Sequence, residues 1–330
     1  MTQTLTEPGT DLYPCRAPQP AARRLVIGIP TAGRSAILAQ TVRFLTHQSR
    51  LPDLVLLSVS DRAHSGGIET EDLPFPVEVL LGPKGLSRQR NAILNSLTGA
   101  DLLMFLDDDF LMAPDYLHEV AQIFERNPDI VMSTGTLIAD GILGPGLTFA
   151  QGEERLNKAV RTPAERRFGP VVGGYGCNMA IRMAPVLAHE LCFDEALPLY
   201  SWLEDADFSA QLQPFGRFVQ PTVTRGVHLG TKTGRTPGLN LGYSQIANVV
   251  YLLRKGTIKG PRARRLMIRS IGSNLLGTLR PRPWADYRGR LLGNLTALSD
   301  LCLGRCDPQR ILAFDRTRTY HDGRWRKTAR

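Results

Sequence analysis

Cysteine is scarce in this sequence, with five thiols among 330 residues, at positions 15, 177, 192, 302 and 306. Small secreted domains held by disulfides carry a higher proportion, and usually an even number. We therefore expect reduced thiols and a cytoplasmic protein. Cys302 and Cys306 could share a helix face, but two thiols without a nearby histidine or further cysteine make a weak zinc site.

Long apolar runs are also missing. No stretch approaches the roughly 18 uninterrupted apolar residues of a membrane-spanning helix. The N-terminal MTQTLTEPGTDLYPCRAPQP lacks the basic start and the apolar run of a secretory signal, and we expect residues 1–22 to form a flexible tail. Because 42% of the residues are hydrophobic and 22% are charged, the rest of the chain is expected to bury a sizeable core.

Acidic residues are unevenly distributed. Residues 1–224 carry 18 Lys+Arg and 26 Asp+Glu, whereas residues 225–330 carry 22 and 5, a net charge of +17. A basic region of this kind fits nucleic acid, an anionic lipid surface or a polyanionic substrate, and charge alone does not choose among them. Aromatic residues make up only 7% of the chain, which is few for stacking on bases, so nucleic acid is the least favoured partner.

Apolar runs and helical patterns alternate along the first half. We predict strands at 25–29, 54–60, 77–81, 101–106 and 130–139, with helices at 35–47, at 87–97 and from Pro114 to about 127. Short connections between alternating elements predict a parallel α/β sheet with right-handed crossovers. Residues 140–170 lack a clear period and are predicted to be a mobile loop, and the chain from Tyr243 onward is predicted to be helical and basic.

An acidic run directly follows the fourth predicted strand. Asp107, Asp108 and Asp109 lie between the apolar segments LLMFL and FLM, so their carboxylates are expected at a buried edge of the sheet. Adjacent buried carboxylates are costly without a counter-ion, and a divalent cation with oxygen ligands is the usual solution. A solvated acidic loop is the alternative. His228 becomes a further metal ligand only if its strand returns to this edge, and otherwise it is structural.

A second acidic group lies in WLEDADF, at 202–208. A carboxylate beside apolar residues can act as a general base, although acids are also common at a helix N-terminus. The glycine-rich GGYGC at 173–177 predicts either a close approach to a ligand or a plain turn. Lys84, Arg88 and Arg90 flank a turn that could face a phosphate or could lie on a basic helix surface.

These motifs, in this order and spacing, resemble the inverting family 2 glycosyltransferases with the GT-A fold. The resemblance runs from about Arg24 to about His228 and continues weakly to about Lys255. It rests on IPTAGR, on HQSRLPDLVLLSVSD, on GLSRQRNAIL followed by GADLLMFLDDD, and on GGYGCNMAIRMAPV followed by FDEALPLYSWLEDADFSAQLQPFG. It implies a Rossmann-like, mixed but largely parallel sheet flanked by helices over residues 23–235, with a basic helical extension at 236–330.

The resemblance also implies roles for individual residues. Asp205 matches the catalytic base and Glu204 its neighbour. Asp109 would bind the cation, Mn²⁺ or Mg²⁺, with His228 as a further ligand. The nucleotide-sugar would lie among residues of the first strands and turns, with Asp61 near the base and the acidic run near the ribose and sugar: Pro30, Thr31, Arg34, Asp61, Lys84, Arg90, Asp107 and Asp108.

The implied reaction moves a sugar, with a UDP-sugar favoured as donor, to a glycan or polyprenyl-diphosphate-linked acceptor in exopolysaccharide or lipopolysaccharide synthesis. Residues 262–279 place apolar side chains mostly on one side beside several arginines, which suits peripheral docking on the anionic cytoplasmic leaflet. A solvated helical cap or a dimer surface is the alternative there. Two other functions stay open, a nucleic-acid-binding protein and a nucleotidyltransferase, although IPTAGR lacks the lysine of a nucleotidyltransferase loop.

Overall fold

An eight-stranded sheet lies at the centre of the computed structural model, which describes residues 24–97, 99–234, 236–314, 318–321 and 324–327. The strands are β1 (Leu25–Thr31), β2 (Leu54–Val59), β3 (Val77–Leu81), β4 (Leu102–Leu106), β5 (Phe110–Met112), β6 (Ile130–Thr134), β7 (Thr136–Asp140), β8 (Phe168–Pro170), β9 (Asn178–Arg182), β10 (Arg217–Pro221), β11 (Arg225–His228), β12 (Arg318–His321) and β13 (Arg324–Lys327). The helices are α1 (Ser35–Phe44), α2 (Leu86–Ser96), α3 (Tyr116–Arg126), α4 (Phe149–Val160), α5 (Met183–Ala188), α6 (Glu204–Leu212), α7 (Gly238–Lys255), α8 (Gly260–Leu279) and α9 (Tyr287–Cys302).

The central sheet has the strand order β3-β2-β1-β4-β9-β6-β10-β8. The pairs β1–β2, β2–β3, β1–β4 and β6–β10 are parallel, while β9 runs antiparallel to both β4 and β6. The predicted strands at 25–29, 54–60, 77–81 and 101–106 are all present. Strands β1, β2 and β4 are buried along their whole length, as is typical of apolar runs inside a parallel sheet, whereas β3 is a partly exposed strand at the edge of the sheet. The prediction of a mixed, largely parallel sheet flanked by helices is confirmed.

The fifth predicted strand, 130–139, is two strands in the structure. The chain breaks at Gly135, where a Cβ would collide with the Tyr116 hydroxyl. After this break β7 joins a second sheet of order β5-β11-β7. In that sheet His228 pairs with Asp140 on one side and with Phe110 on the other. The second sheet therefore brings β11 back to the end of β4.

The prediction of a mobile loop over 140–170 was wrong, because α4 occupies its middle. A capping box starts this helix: Gln151 N donates to Thr148 Oγ1 at 3.2 Å, and Thr148 N donates to Gln151 Oε1 at 3.0 Å. Such a reciprocal pair satisfies two N–H groups that would otherwise have no partner. Leu156 is buried against side chains of the second sheet, so helix packing holds the segment in place.

Two apolar layers enclose the central sheet. Alternate residues of β1 point to opposite faces, so Leu25, Ile27 and Ile29 pack with α1 and α3, while Val26 packs on the side of α2 and α6. Because helices cover both faces of the sheet, polar chemistry is expected at the ends of its strands. The polar residues that follow β1 and β4 meet there.

Helices α7, α8 and α9 pack against one another in the C-terminal part, as the helical pattern from Tyr243 predicts. Asn294 Nδ2 donates to Gly242 O at 2.7 Å and Asn274 Nδ2 donates to Asn294 Oδ1 at 2.7 Å, which fixes how the three helices meet. Within the described part of the chain, no helix combines the length and apolar character needed to cross a bilayer. The division at residue 235 stays a prediction, and the predicted tail at 1–22 lies outside the described residues.

Candidate active site

The ends of β1 and β4 lie side by side and join Thr31 to Asp108. Thr31 Oγ1 donates to Asp108 Oδ2 at 2.5 Å. Arg34 contacts both oxygens of the same carboxylate: its Nε donates to Oδ2 at 3.1 Å, and its Nη2 lies 2.7 Å from Oδ1. Asp108 is fully buried. Burial raises its pKa to about 7, against the lowering effect of the Arg34 charge. Asp108 thus holds Arg34 at the open edge of the sheet.

Asp107, Asp109 and His228 form a group of possible metal ligands. One ligand atom of each lies within 4.8 Å of the others, and His228 Nε2 is 3.4 Å from Asp109 Oδ1 and 3.7 Å from Asp107 Oδ2. Asp109 Oδ2 accepts a hydrogen bond from Thr231 N at 2.7 Å, while the buried Oδ1 accepts none. A free buried carboxylate oxygen facing a second carboxylate and an imidazole fits a divalent cation such as Mn²⁺.

A further carboxylate sets the orientation of His228. His228 Nδ1 donates to Asp140 Oδ1 at 2.9 Å, so Nε2 points to the two aspartates. The Tyr175 hydroxyl donates to Asp140 Oδ2 at 3.2 Å. Burial alone would lower the pKa of His228, but its interactions with Asp109 and Asp140 outweigh burial and raise the pKa to about 10. This carboxylate–histidine arrangement is typical of histidines that ligate metals.

The second acidic group lies at the start of α6, where Asp205 is partly exposed and Glu204 is buried. Asp205 Oδ2 accepts a hydrogen bond from Gly176 N at 3.2 Å. Burial raises the pKa of Asp205, with Arg90 opposing the rise. For Glu204, burial and the Asp205 charge raise the pKa to about 8, again against Arg90. A carboxylate with a raised pKa is a better proton acceptor once ionised.

Arg90 lies in the core beneath α6. Its Nη1 is 2.5 Å from Glu204 Oε1 and its Nη2 donates to Gly176 O at 2.9 Å. The guanidinium also lies over Phe105 and Phe193, at 5.3 and 5.2 Å from the ring centres. The structure therefore shows Arg90 supporting the acidic pair from within the protein, and its predicted contact with a nucleotide stays a prediction.

The glycine-rich segment 173–177 connects the two acidic groups. Gly176 N contacts Asp205, and Cys177 O accepts a hydrogen bond from Asp107 N at 3.1 Å. A Cβ on Gly176 would lie 2.6 Å from Arg90 Nη2. The close approach predicted from the glycines is thus an approach to the protein's own side chains. The general-base candidate and the metal-ligand candidates are joined by consecutive backbone groups.

The backbone before α6 is strained. Leu199, Ser201 and Leu203 all adopt the left-handed conformation, with φ of 58°, 51° and 75°. Non-glycine residues in this region cost roughly 1–3 kcal/mol each and are held only by strong surrounding contacts. Two such contacts reach α2, where Leu86 N donates to Leu199 O at 2.8 Å and Ser87 N donates to Ser201 Oγ at 3.2 Å. These amides at the start of α2 are therefore bonded to the chain itself and not open to a phosphate.

The first C-terminal helix contacts the segment that carries Asp205. Lys255 Nζ lies 2.6 Å from Asp194 Oδ2 and 2.8 Å from Asp207 Oδ2, and Asp207 is fully buried. Asn248 Nδ2 donates to Trp202 O at 2.9 Å. Helix α7 thus bonds to residues on both sides of the strained turn.

Three of the predicted nucleotide-binding residues lie away from these contacts. Pro30 is buried within β1. Asp61 is exposed and accepts a hydrogen bond from Ala63 N at 2.9 Å. Lys84 is exposed beside a small cavity that Arg88 also lines. The predicted roles of these three residues in donor binding stay predictions.

Sequence reasoning missed Asp140, which directly follows the predicted strand at 130–139, the same signal that singled out the acidic run at 107–109. Tyr175 lies within the glycine-rich segment 173–177, but its contact with Asp140, 35 residues away, could not be predicted from that pattern. The acidic run with Asp107 was predicted to hold a cation, whereas the resemblance placed Asp107 near the ribose and sugar; the structure places it among the possible metal ligands.

Residues 26–186 match the family described as "Glycosyl transferase family 2". An uncharacterized glycosyltransferase of Haemophilus influenzae is 30% identical over 108 residues, which cover 32% of this chain and 36% of that protein. The match thus spans about a third of the length of this relative. The predicted resemblance to family 2 is confirmed by the family match.

Two solved structures share the fold at low identity. One is the mannosyltransferase PcManGT from Pyrobaculum calidifontis in complex with GDP-Man and Mn²⁺, with a TM-score of 0.51 and 15% identity over 88% of this chain and 89% of that one. The other is GalNAc-T7 with UDP, GalNAc and Mn²⁺, with a TM-score of 0.53 and 13% identity over 91% of this chain and 58% of that one. Both likenesses concern the fold, and they agree with the mixed sheet described above.

Proposed function

Given that the chain belongs, through residues 26–186, to glycosyl transferase family 2, we propose that it is an inverting, metal-dependent glycosyltransferase. It would move a sugar from a nucleotide-sugar donor to an acceptor hydroxyl. One observation carries the proposal: the carboxylate of Asp205 and the group of Asp107, Asp109 and His228 are linked through Gly176 and Cys177. A proton acceptor and a site for a metal–diphosphate are therefore held next to each other by consecutive residues of one segment.

The donor is proposed to lie across the ends of β1 and β4. Thr31, Arg34 and Asp108 form one connected network at this edge. A UDP-sugar is our favoured donor; the two structures with the same fold hold GDP-Man in one case and UDP in the other. Asp61 is proposed to lie near the nucleotide base, because it follows β2, the neighbour of β1 in the sheet.

Asp107, Asp109 and His228 would hold a Mn²⁺ or Mg²⁺ ion, which when bound neutralises negative charge on the departing nucleoside diphosphate. Asp140 and Tyr175 fix the direction of the His228 ring. Asp205 acts as the general base: it removes the proton from the acceptor hydroxyl while the oxygen of that hydroxyl attacks the anomeric carbon. The carbon–oxygen bond to the diphosphate breaks on the opposite side, so a single displacement inverts the configuration.

The acceptor is proposed to be a glycan or a polyprenyl-diphosphate-linked sugar, in exopolysaccharide or lipopolysaccharide synthesis. We place the enzyme in the cytoplasm, peripherally on the membrane. Support for this location is the net charge of +17 over residues 225–330, which favours contact with anionic lipid. Two alternative functions are a nucleotidyltransferase and a nucleic-acid-binding protein that contacts nucleic acid through the basic C-terminal region. The thermal stabilisation experiment distinguishes these alternatives from a glycosyltransferase.

The first test is thermal stabilisation by nucleoside diphosphates and sugar nucleotides, with and without Mn²⁺. A ligand present at about a hundred times its Kd adds about 2.7 kcal/mol to the stability of the folded state. We expect Mn²⁺-dependent stabilisation by one diphosphate, with UDP favoured over GDP. Stabilisation by oligonucleotides alone would contradict the proposal.

The second test separates binding from chemistry. Asp205→Asn is expected to abolish metal-dependent release of the nucleoside diphosphate from the donor while leaving thermal stabilisation by the donor nearly unchanged. Asp72→Asn, at an exposed aspartate, is the matched control and should keep full activity. Equal loss of binding and turnover in Asp205→Asn would refute the role of this residue as the base.

A further inference from the structure

Two C-terminal helices carry exposed apolar stripes. On α8, Ile268, Leu275, Leu276 and Leu279 are 63%, 49%, 67% and 72% exposed. Positions 268, 275 and 279 are seven and four residues apart, and 276 lies three residues before 279; these spacings place side chains on one face of a helix. The opposite side of α8 carries the buried Ala263 and Asn274. The stripe therefore points away from the helices on which α8 packs.

Helix α9 repeats this arrangement. Leu292 and Leu295, three residues apart on α9, are 52% and 53% exposed, and Leu303, just after the helix, is 62% exposed, whereas Asn294 and Ala297 are buried against the neighbouring helices. Large apolar side chains that are exposed singly are ordinary on protein surfaces, but a continuous stripe marks a surface that contacts something.

Positive charges dominate the surroundings of these stripes. Exposed arginines lie in the first half of α8, in the connection to α9 and in the first turn of α9: Arg262, Arg264, Arg265, Arg269, Arg280, Arg282 and Arg288. Residues 260–279 contain no Asp or Glu. The acidic residue within α9, Asp300, is buried and paired with Arg305 and Arg310. The exposed face is therefore apolar and positively charged.

We propose that this face, defined by Ile268, Leu275, Leu276, Leu279, Leu292 and Leu295, docks on an anionic lipid bilayer. The leucines enter the boundary between head groups and acyl chains, and the arginines keep their guanidinium groups among the anionic head groups. A second copy of the chain fits this face less well, because it would bring the same arginines together. The proposal identifies which surface of the protein contacts the membrane. It rests on the membrane location given under the proposed function and does not depend on sugar transfer.

Vesicle co-sedimentation of the full chain tests the proposal without donor or acceptor. We expect binding to mixed phosphatidylcholine–phosphatidylglycerol vesicles at low salt, weaker binding at high salt, and little binding to pure phosphatidylcholine. The variant Leu275→Ser/Leu279→Ser is expected to lower the partition coefficient by about tenfold or more, since each leucine loses apolar burial in the bilayer. Leu187→Ser, at a leucine that is 54% exposed on the catalytic part, is the matched control and should bind like the wild type.

Three results would overturn the proposal. The wild type could fail to bind anionic vesicles, or the double variant could bind as strongly as the wild type. Alternatively, size-exclusion chromatography could show a dimer that the double variant breaks, which would make this face a contact between copies. The melting temperatures of both variants are measured first, because these exposed sites should tolerate serine. Asp205→Asn should still bind vesicles, so failure of docking and failure of the catalytic proposal give different results.

Discussion

Replacing Arg90 by methionine tests whether the acidic pair depends on a buried cation. Methionine keeps most of the volume between Phe105 and Phe193 but removes the charge. The bond to Glu204 at 2.5 Å and the bond to Gly176 O at 2.9 Å are both lost, and the Glu204 carboxylate stays in the core without a partner. Breaking a buried ion pair in this way costs about 3–5 kcal/mol, a large part of the roughly 5–15 kcal/mol that stabilises a typical domain.

The loss is expected to depend on pH. Burial and the Asp205 charge raise the pKa of folded Glu204 to about 8, from 4.5 for the free side chain. The folded state therefore binds the proton more tightly, so this group supports stability fully below pH 4.5 and loses that support as the pH rises to about 8. Without the arginine the folded pKa rises further, and the decline continues to higher pH. Arg90→Met should thus be costlier at about pH 9 than at about pH 6.

Urea denaturation followed by circular dichroism measures both effects. Arg88→Met is the matched control, since Arg88 is on the same helix and its contact with Glu195 is exposed; it should change the free energy of unfolding by no more than about 0.5 kcal/mol. Adding Glu204→Gln to Arg90→Met should restore part of the loss and remove its pH dependence. A cost below about 1 kcal/mol for Arg90→Met, or no recovery in the double variant, would refute the reasoning.

Three further predictions concern other parts of the fold. Asp140→Asn weakens the orientation of His228 and is expected to lower Mn²⁺ affinity by about 10- to 100-fold, measured by calorimetry; unchanged affinity would contradict the role of Asp140 in orienting this histidine. Gly176→Ala inserts a Cβ against a fixed guanidinium and is expected to cost about 1–3 kcal/mol, whereas Gly144→Ala enters open space and should be neutral in thermal unfolding. Thr148→Ala removes the capping box of α4 and should cost about 1 kcal/mol, and a cost near zero would show that packing alone holds this helix.

The sequence was sufficient for β1, β2 and β4 because each is buried on both faces and reads as a mostly apolar run; β3, at the edge of the sheet, also reads as a short, mostly apolar run. It failed at Gly135, where the backbone lies too close to the Tyr116 hydroxyl to leave room for a Cβ and one predicted strand becomes two. It also failed at 140–170, because α4 packs on a sheet that the strand pattern did not reveal. Local patterns thus predict elements that are completely buried, and they miss elements whose place depends on a distant partner.

The sequence likewise predicted some features of the candidate site and not others. The acidic run at 107–109 and the pair at 204–205 stand out because charged residues adjoin apolar runs. The glycines at 173–177 mark the segment that links them, but its contacts could not be predicted, because they are made by backbone groups of Gly176 and Cys177 and by the Tyr175 hydroxyl, which reaches Asp140 of the second sheet. Similarly, burial of Arg90 could not be predicted from a helix that also carries the exposed Arg88.

The bonds from α7 to the segment around α6 limit how the chain can be shortened. Removing the residues after 235, to isolate the predicted catalytic domain, would take Lys255 away from the buried Asp207 and Asn248 away from Trp202. A buried carboxylate without its cation would then lie two residues from Asp205, next to a turn whose left-handed backbone needs outside support. Such a fragment could keep its sheet and its metal ligands while losing the alignment of the base. Inactivity of the fragment would therefore say nothing against the chemistry of the intact chain.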